Sequence, residues 1–254
     1  MALPRTPSFR LEGKRALVTG GTRGIGLGAA VALAEAGADV TIVSRTAVDV
    51  AATVEAMQAA GLAASGQALD VTDTAAVRTF IEAAAPFDIL VNSAGGARHA
   101  AFLDISEPDY QFVIDLNLKS TLFVSQAVAA RLAPTGGPGS IIHISSQMGH
   151  VGGPKRAVYS ASKFAVEGLT KAMAIELGPH NIRVNTICPT FIETDLTART
   201  LGDPDFRAWV LSKIKLGRLG RIEDIMGPVL FLASDAAAMV TGSSLMVDGG
   251  WTAE

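Results

Sequence analysis

Short β-branched runs alternate along the chain with longer Ala-rich segments, the pattern of a parallel sheet covered by helices on both faces. Arg15–Thr19 (RALVT) reads as the first strand. Gly24–Ala36 reads as the helix after it, with Gly37 just past its last turn. Asp39–Val43 is the next strand and Ala47–Ala60 the next helix. Ser65–Leu69 reads as a strand, and Asp73–Ala85 as a helix stopped by Pro86. Asp88–Val91 is a strand, Asp109–Leu132 contains a long helix, and Ser140–Ile144 is a strand. Val158–Leu177 is helical, Ile182–Cys188 a strand, Ile222–Ser234 a helix and Ser244–Val247 a strand. About seven short strands result, as a doubly wound sheet requires.

No linker-like stretch or fixed-period repeat divides the chain, so residues 1–254 are expected to form one domain. The Gly/Pro-rich piece Pro134–Gly139 falls between a helix and a strand and reads as a loop. Almost half of the residues (49%) are apolar and only 18% charged, enough to bury a sizeable core in 254 residues. A net charge of -3 gives no electrostatic reason to expect nucleic acid or an anionic membrane as partner. No apolar run approaches the roughly 18 residues that span a bilayer. Met1–Arg10, with Pro4 and Pro7, has no apolar signal region. The single cysteine, Cys188, excludes an internal disulfide, suits a reducing compartment, and reads as a small buried apolar side chain. A cytoplasmic protein is expected.

Thr19-Gly20-Gly21-Thr22-Arg23-Gly24-Ile25-Gly26 follows the first strand and opens the first helix. Gly20 permits a tight turn, Gly24 lets backbone approach a pyrophosphate, and Gly26 brings helix close to strand. The helix N-terminus offers free N–H groups and a positive dipole end to phosphates. This G-x-x-x-G-x-G spacing, Asn92-Ser93-Ala94-Gly95 after the fourth strand, and Tyr159-Ser-Ala-Ser-Lys163 together resemble the short-chain dehydrogenase/reductase family. The resemblance covers about Leu11 to Trp251, with Ser93 where the family more often has a second asparagine. It implies a Rossmann-like α/β fold and a nicotinamide cofactor.

An acidic residue after the second strand would hold a ribose 2′-OH, whereas a nearby arginine accommodates a 2′-phosphate. Here Ser44 carries no carboxylate, Arg45 follows it, and Arg23 can approach the same region. NADP(H) is therefore favoured, with NAD(H) as the alternative. Asp70 and Val71 resemble the family's adenine-contacting pair. Asn92, Ala94 and Gly95 belong to the cofactor set by the same resemblance. So does the Pro189–Thr194 segment, with Ile192 and Thr194 beside the nicotinamide and Thr190 where glycine is usual.

Tyr159 and Lys163 lie four apart on one helix face, which is expected to bring an ammonium near the phenol and lower its pKa. Ser145 and Ser146 end the preceding strand, where α/β folds carry their chemistry. The residues alone do not separate them; the resemblance implies Ser146, thirteen residues before Tyr159. It also implies a role for Asn117, in an apolar helix, as organiser of a water-linked proton relay that would supply the partners a buried asparagine needs. Tyr159 would exchange a proton with the substrate oxygen, Ser146 would donate a hydrogen bond to it, and Lys163 would contact the nicotinamide ribose.

Arg98, His99, Gln147, His150 and the stretch from Phe191 to Trp209 are candidate substrate-facing positions. Arg98, Gln147 and His150, with Ser146 and Tyr159, point to a small polar carbonyl or alcohol such as a sugar, polyol or hydroxy acid. His99 and His150 have no clustered partner in sequence and are not expected to bind metal. Residues 194–211 resemble the family's mobile lid, placed at about 190–215. A 3-oxoacyl-(acyl-carrier-protein) reductase is the rival within the family. Pro134–Gly139 and His180, where basic residues would grip the carrier, count against it. A non-catalytic NADP-sensing or scaffold protein would have eroded the set Asn117, Ser146, Tyr159 and Lys163, which is complete. The resemblance further implies a homotetramer.

Overall fold

The computed structural model describes Met1 and residues 3–254, side chains 196 and 199 excepted. Seven strands form one sheet in the order β3-β2-β1-β4-β5-β6-β7, every neighbouring pair parallel. They are β1 (Arg15–Thr19), β2 (Asp39–Ser44), β3 (Ala64–Ala68), β4 (Ile89–Asn92), β5 (Gly139–Ile144), β6 (Ile182–Pro189) and β7 (Ser244–Val247). Helices α1 (Gly24–Glu35), α2 (Ala47–Ala59) and α3 (Thr74–Ala83) alternate with the first strands. After β4 come α4 (Glu107–Ile114) and α5 (Ser120–Leu132), joined by a π turn over Asp115–Lys119; α6 (Ala157–Leu177) follows β5. α7 (Asp195–Leu201), α8 (Pro204–Lys213) and α9 (Glu223–Ala233) lie between β6 and β7. The chain runs outward through β1, β2 and β3, then returns beside β1 as β4. That reversal opens a crevice at the carboxyl ends of β1 and β4, where α/β sheets bind ligands.

The central strands are dry on both faces, whereas the edge strand β3 is mostly exposed and β7 half-buried. Ala16, Val18, Val40, Ile42, Ile89 and Val91 pack one face against Leu33 of α1 and Ile225 and Val229 of α9. Leu17, Val43, Leu90, Ile141 and Val184 pack the other against Val77 and Ile81 of α3 and Val124 and Val128 of α5. Each such Val, Leu or Ile contributes roughly 1.5–3 kcal/mol of transfer free energy, which is why a parallel sheet reads as continuous apolar runs. A third cluster joins Met148, Phe191, Leu201, Val210, Ile214, Leu219 and Trp251 and seats α7 and α8 over the crevice. Among the described residues no helix is long and apolar enough to cross a membrane.

The expected boundaries differ where a cap or a local register decides. Asp73 lies outside α3 as its N-cap, accepting from Ala75 N at 3.1 Å and Ala76 N at 3.0 Å. Ser106 caps α4 by accepting from Asp109 N, so the helix begins at Glu107, just before the stretch expected to contain it. That helix is also interrupted: Ser120 Oγ donates to Leu116 O at 2.6 Å and Thr121 Oγ1 to Asn117 O at 2.8 Å. These hydroxyls serve carbonyls whose regular partners the π turn displaces, and apolar periodicity does not record such a shift.

Candidate active site

The chain leaves β1 at Thr19 and turns through Gly20 (φ 67°) into Gly24 (φ 54°) at the start of α1. A β-carbon on Gly20 would stand 3.0 Å from Ala94 N and Cα, and one on Gly26 only 2.2 Å from Gly20 O. The turn is therefore a backbone surface with no room for side chains at these two positions, as a phosphate cradle needs. Arg23 occupies the N-cap position without a side-chain cap, leaving the first N–H groups of α1 uncovered by it. Thr19 Oγ1 accepts from Ser93 N and Ala94 N, each at 3.1 Å, and so ties Asn92–Gly95 to the same rim. Thr22 Oγ1 donates to Ser44 Oγ at 3.3 Å, joining the turn to the end of β2.

Arg23 and Arg45 are exposed beside this rim, and neither has an ion pair among the described residues. Burial pushes the Asp70 carboxyl up, but hydrogen bonds from Thr72 and the Arg45 charge together hold it below its ordinary value. Val71 beside it is buried. Pro189 ends β6, Ile192 is buried and bridged to Gly220, and the Thr194 methyl would lie 3.4 Å from a β-carbon on Gly24. Ile25 packs down into the core. These residues fit a dinucleotide: glycine backbone and helix N-terminus for the pyrophosphate, two unpaired guanidiniums for a 2′-phosphate.

Tyr159 and Lys163 stand on the first turns of α6, Ser146 just beyond β5. The Lys163 ammonium is buried, donates to Ile144 O at 2.8 Å, and sits 5.7 Å from the centre of the Tyr159 ring. Burial pushes its pKa down to about 8, against the pull of Cys188 and Glu167. Ser146 Oγ donates to Gln147 Oε1 at 2.8 Å and accepts from Met148 N at 3.1 Å. Ser145 turns the other way: a β-carbon on Gly149 would meet its Oγ at 3.1 Å and the Glu167 side chain at 3.2 Å.

The expected lowering of the Tyr159 pKa is corrected. Burial pushes it above 10, with Ser146 and Arg156 opposing, and desolvation outweighs both. Asn117 is 1% exposed on the π turn, and its side chain finds partners in the protein. Oδ1 accepts from Gly96 N at 2.9 Å; Nδ2 donates to Gly96 O at 2.9 Å and to Ser162 Oγ at 3.1 Å. A relay is not needed to satisfy that side chain, contrary to expectation.

Two substrate candidates have protein partners of their own. The Arg98 guanidinium lies 3.5 Å from Asp109 and 4.6 Å from the Phe112 ring centre, so α4 holds it. His150 engages Cys188 Sγ at 3.4 Å and Glu167 Oε1 at 3.7 Å. The expectation that His150 has no clustered partner is thereby overturned, since His150, Glu167 and Cys188 bring their ligand atoms within 4.8 Å of one another. Nor is the setting of Cys188 apolar. Its thiol donates to Glu167 Oε1 at 3.3 Å, and burial with the Glu167 charge pushes its pKa up to about 12.

Sequence reasoning passed over Arg156 and placed His99 only among the candidate substrate-facing positions. Arg156, three residues before Tyr159, is 9% exposed. Its NH1 donates to His99 Nε2 at 2.8 Å, and the His99 ring meets Tyr159 edge-on at 6.3 Å between centres. Burial, then the Arg156 charge, push the His99 pKa down to about 4. Its Arg-Ala-Val-Tyr position was the available signal, but only the loop before α6 shows that the side chain turns inward.

An α/β crevice with a phosphate cradle on one rim and a phenol, a hydroxyl and an ammonium on the next strand end defines a dinucleotide-dependent oxidoreductase of CH–OH groups. Residues 20–252 match the family model described as enoyl-(acyl carrier protein) reductase. The chain is 42% identical to D-erythrulose reductase of Gallus gallus, over 96% of this chain and 98% of that one. It is 40% identical to gluconate 5-dehydrogenase of Gluconobacter oxydans (strain 621H), over 96% of each. It superposes with a TM-score of 0.94 and 37% identity on gluconate 5-dehydrogenase from Burkholderia cenocepacia J2315 in complex with NADP and tartrate, covering 97% of this chain and 98% of that one. The protein belongs to the short-chain dehydrogenase/reductase family.

Proposed function

We propose that the protein interconverts a secondary alcohol and a ketone or aldehyde in a small sugar-like substrate, using NADP(H) and Tyr159 as acid/base. The observation that carries this is the convergence of Tyr159, Ser146 and Lys163 at the end of β5, beside a cradle shaped for a dinucleotide. The names of the relatives, an erythrulose reductase and two gluconate dehydrogenases, support a polyhydroxy substrate. Arg23 and Arg45, with no carboxylate at Ser44, support NADP(H) over NAD(H).

When bound, the cofactor supplies or accepts the hydride. The protein handles position and protons. A carbonyl oxygen that replaces Gln147 Oε1 as acceptor of the Ser146 hydroxyl's hydrogen bond gains a donor where negative charge develops. Tyr159, kept neutral by burial, holds the proton that this oxygen receives. Lys163 keeps its cation one helical turn behind and stabilises the phenolate left after transfer. Asn117 fixes Gly96, and so the loop after β4, against α6 through Ser162. The segment at about 190–215 acts as lid over one domain. Exposed Phe164 and Ile175 on α6 and Tyr110 on α4 suit a homotetramer packed through these helices.

A panel of ketoses, polyols, sugar acids and 3-oxoacyl thioesters, assayed with NADP(H) and NAD(H), tests the reading. Polyhydroxy substrates are turned over with NADP(H), and Tyr159→Phe loses about 10²–10⁴-fold in kcat with cofactor affinity kept. Turnover surviving in Tyr159→Phe, or confined to acyl thioesters, overturns it.

A further inference from the structure

We propose that Arg156 forms a carboxylate subsite beside Tyr159, so that the substrate is a small polyhydroxy acid rather than a neutral sugar or polyol. The inference rests on Tyr159 marking the reacting carbon.

The carrying observation is a buried cation without a counter-charge. Arg156 is 9% exposed, and among the described residues it has no ion pair. Of its five N–H donors, NH1 reaches His99 Nε2, while Nε is buried with no partner. His99 is neutral in this contact, since its pKa lies near 4, and cannot balance the charge. The guanidinium carbon stands 5.1 Å from the Phe191 ring centre and 5.8 Å from that of Phe206. Aromatic faces stabilise a cation but leave its in-plane donors unused.

Such a group is costly to bury unless an anion completes it, and a guanidinium fork matches a carboxylate in two parallel hydrogen bonds. The backbone is set for the purpose. Lys155, immediately before, is held at φ 60°, a left-handed conformation that a lysine rarely adopts, and the chain then enters α6 with Arg156 directed inward. Phe191, Phe206, Trp209 and Trp251 form one contiguous aromatic wall, ring centres 5.4–5.8 Å apart, that keeps water from the site. The position fits substrate rather than cofactor. The phosphate donors sit at the start of α1, whereas Arg156 opens α6 and touches Tyr159 through His99. One cation suits a monoanionic carboxylate and falls short of a dianionic phosphate ester.

Tartrate and threitol share a four-carbon diol core and differ in carboxylate against hydroxymethyl ends. Their affinities for the NADP-loaded protein are measured by tryptophan fluorescence, read from the aromatic wall, and by calorimetry. Tartrate binds at least about 30-fold more tightly than threitol, the worth of a charge-assisted pair. Arg156→Gln removes that preference, and Arg156→Lys, which keeps the charge without the fork, restores about a third of it on a logarithmic scale. Equal binding of the two ligands by the unaltered protein overturns the proposal, as does a tartrate preference that survives in Arg156→Gln. The readout needs no turnover, so its failure leaves the oxidoreductase reading standing. A protein that binds tartrate through Arg156 but reduces no ketone overturns that parent reading instead.

Discussion

His143 makes the stability of this fold acid-sensitive. It lies on β5, 1% exposed, with Nδ1 2.9 Å from Thr170 Oγ1 and Nε2 3.2 Å from Ser125 Oγ. Thr170 Oγ1 already donates to Val166 O at 2.8 Å, so it accepts from Nδ1–H. Nε2 therefore accepts from Ser125, whose own oxygen accepts from Asn92 Nδ2 at 2.9 Å. The direction of every bond is fixed, and the chain from Asn92 to Val166 is complete only with a neutral imidazole. A proton on Nε2 would face a hydroxyl that then has no acceptor for its hydrogen. Burial, opposed by Glu167 and joined by Lys163, pushes the His143 pKa from 6.5 down to about 4.

Because the folded pKa is depressed, the unfolded chain binds the proton first as pH falls. The stability is fully present above pH 6.5 and lost progressively toward pH 4. Linkage with these two values gives a loss of about 2 kcal/mol between pH 7 and pH 5. Urea unfolding at both pH values, on the unaltered protein and on His143→Gln, reads it directly. Glutamine can donate and accept but not titrate, so the unaltered protein should lose about 2 kcal/mol more than the variant on acidification. The cost of the substitution at pH 7 cancels from that difference. A difference below about 0.5 kcal/mol, or of opposite sign, would show that the imidazole is not held neutral.

Two further outcomes follow from the site. The chain has two tyrosines, so absorbance at 295 nm resolves them; in the cofactor-free protein one ionisation lies above 10 and disappears in Tyr159→Phe, and loss of an ionisation below 10 contradicts the dominance of burial. Gly26→Ala forces a β-carbon to within 2.2 Å of a backbone oxygen and weakens NADPH binding about 5- to 100-fold in a fluorescence titration. Gly227→Ala, with open space around it, leaves that affinity unchanged; equal effects from both would remove the steric argument.

What the sequence determined was whatever depends on local order. Alternation of β-branched runs with Ala-rich segments is set by neighbours in the chain, and all seven strands formed within one residue of where they were expected. The glycines of the turn and the spacing of Tyr159 and Lys163 are likewise local, because a strand-to-helix turn and one helical turn fix their relative placement. The tertiary structure decided where side chains from separate elements point and how much water remains around them. Arg98 and His150 stand in the right loops, yet Asp109 and Phe112 capture one, and Glu167 and Cys188 the other. Arg156 lies in a run of ordinary loop residues until the segment after β6 and α8 bring Phe191 and Phe206 over it. The sign of the Tyr159 shift needed the same information. Four residues of spacing put a cation on the right face, but desolvation sets the sign, and it comes from the packing of distant parts of the chain.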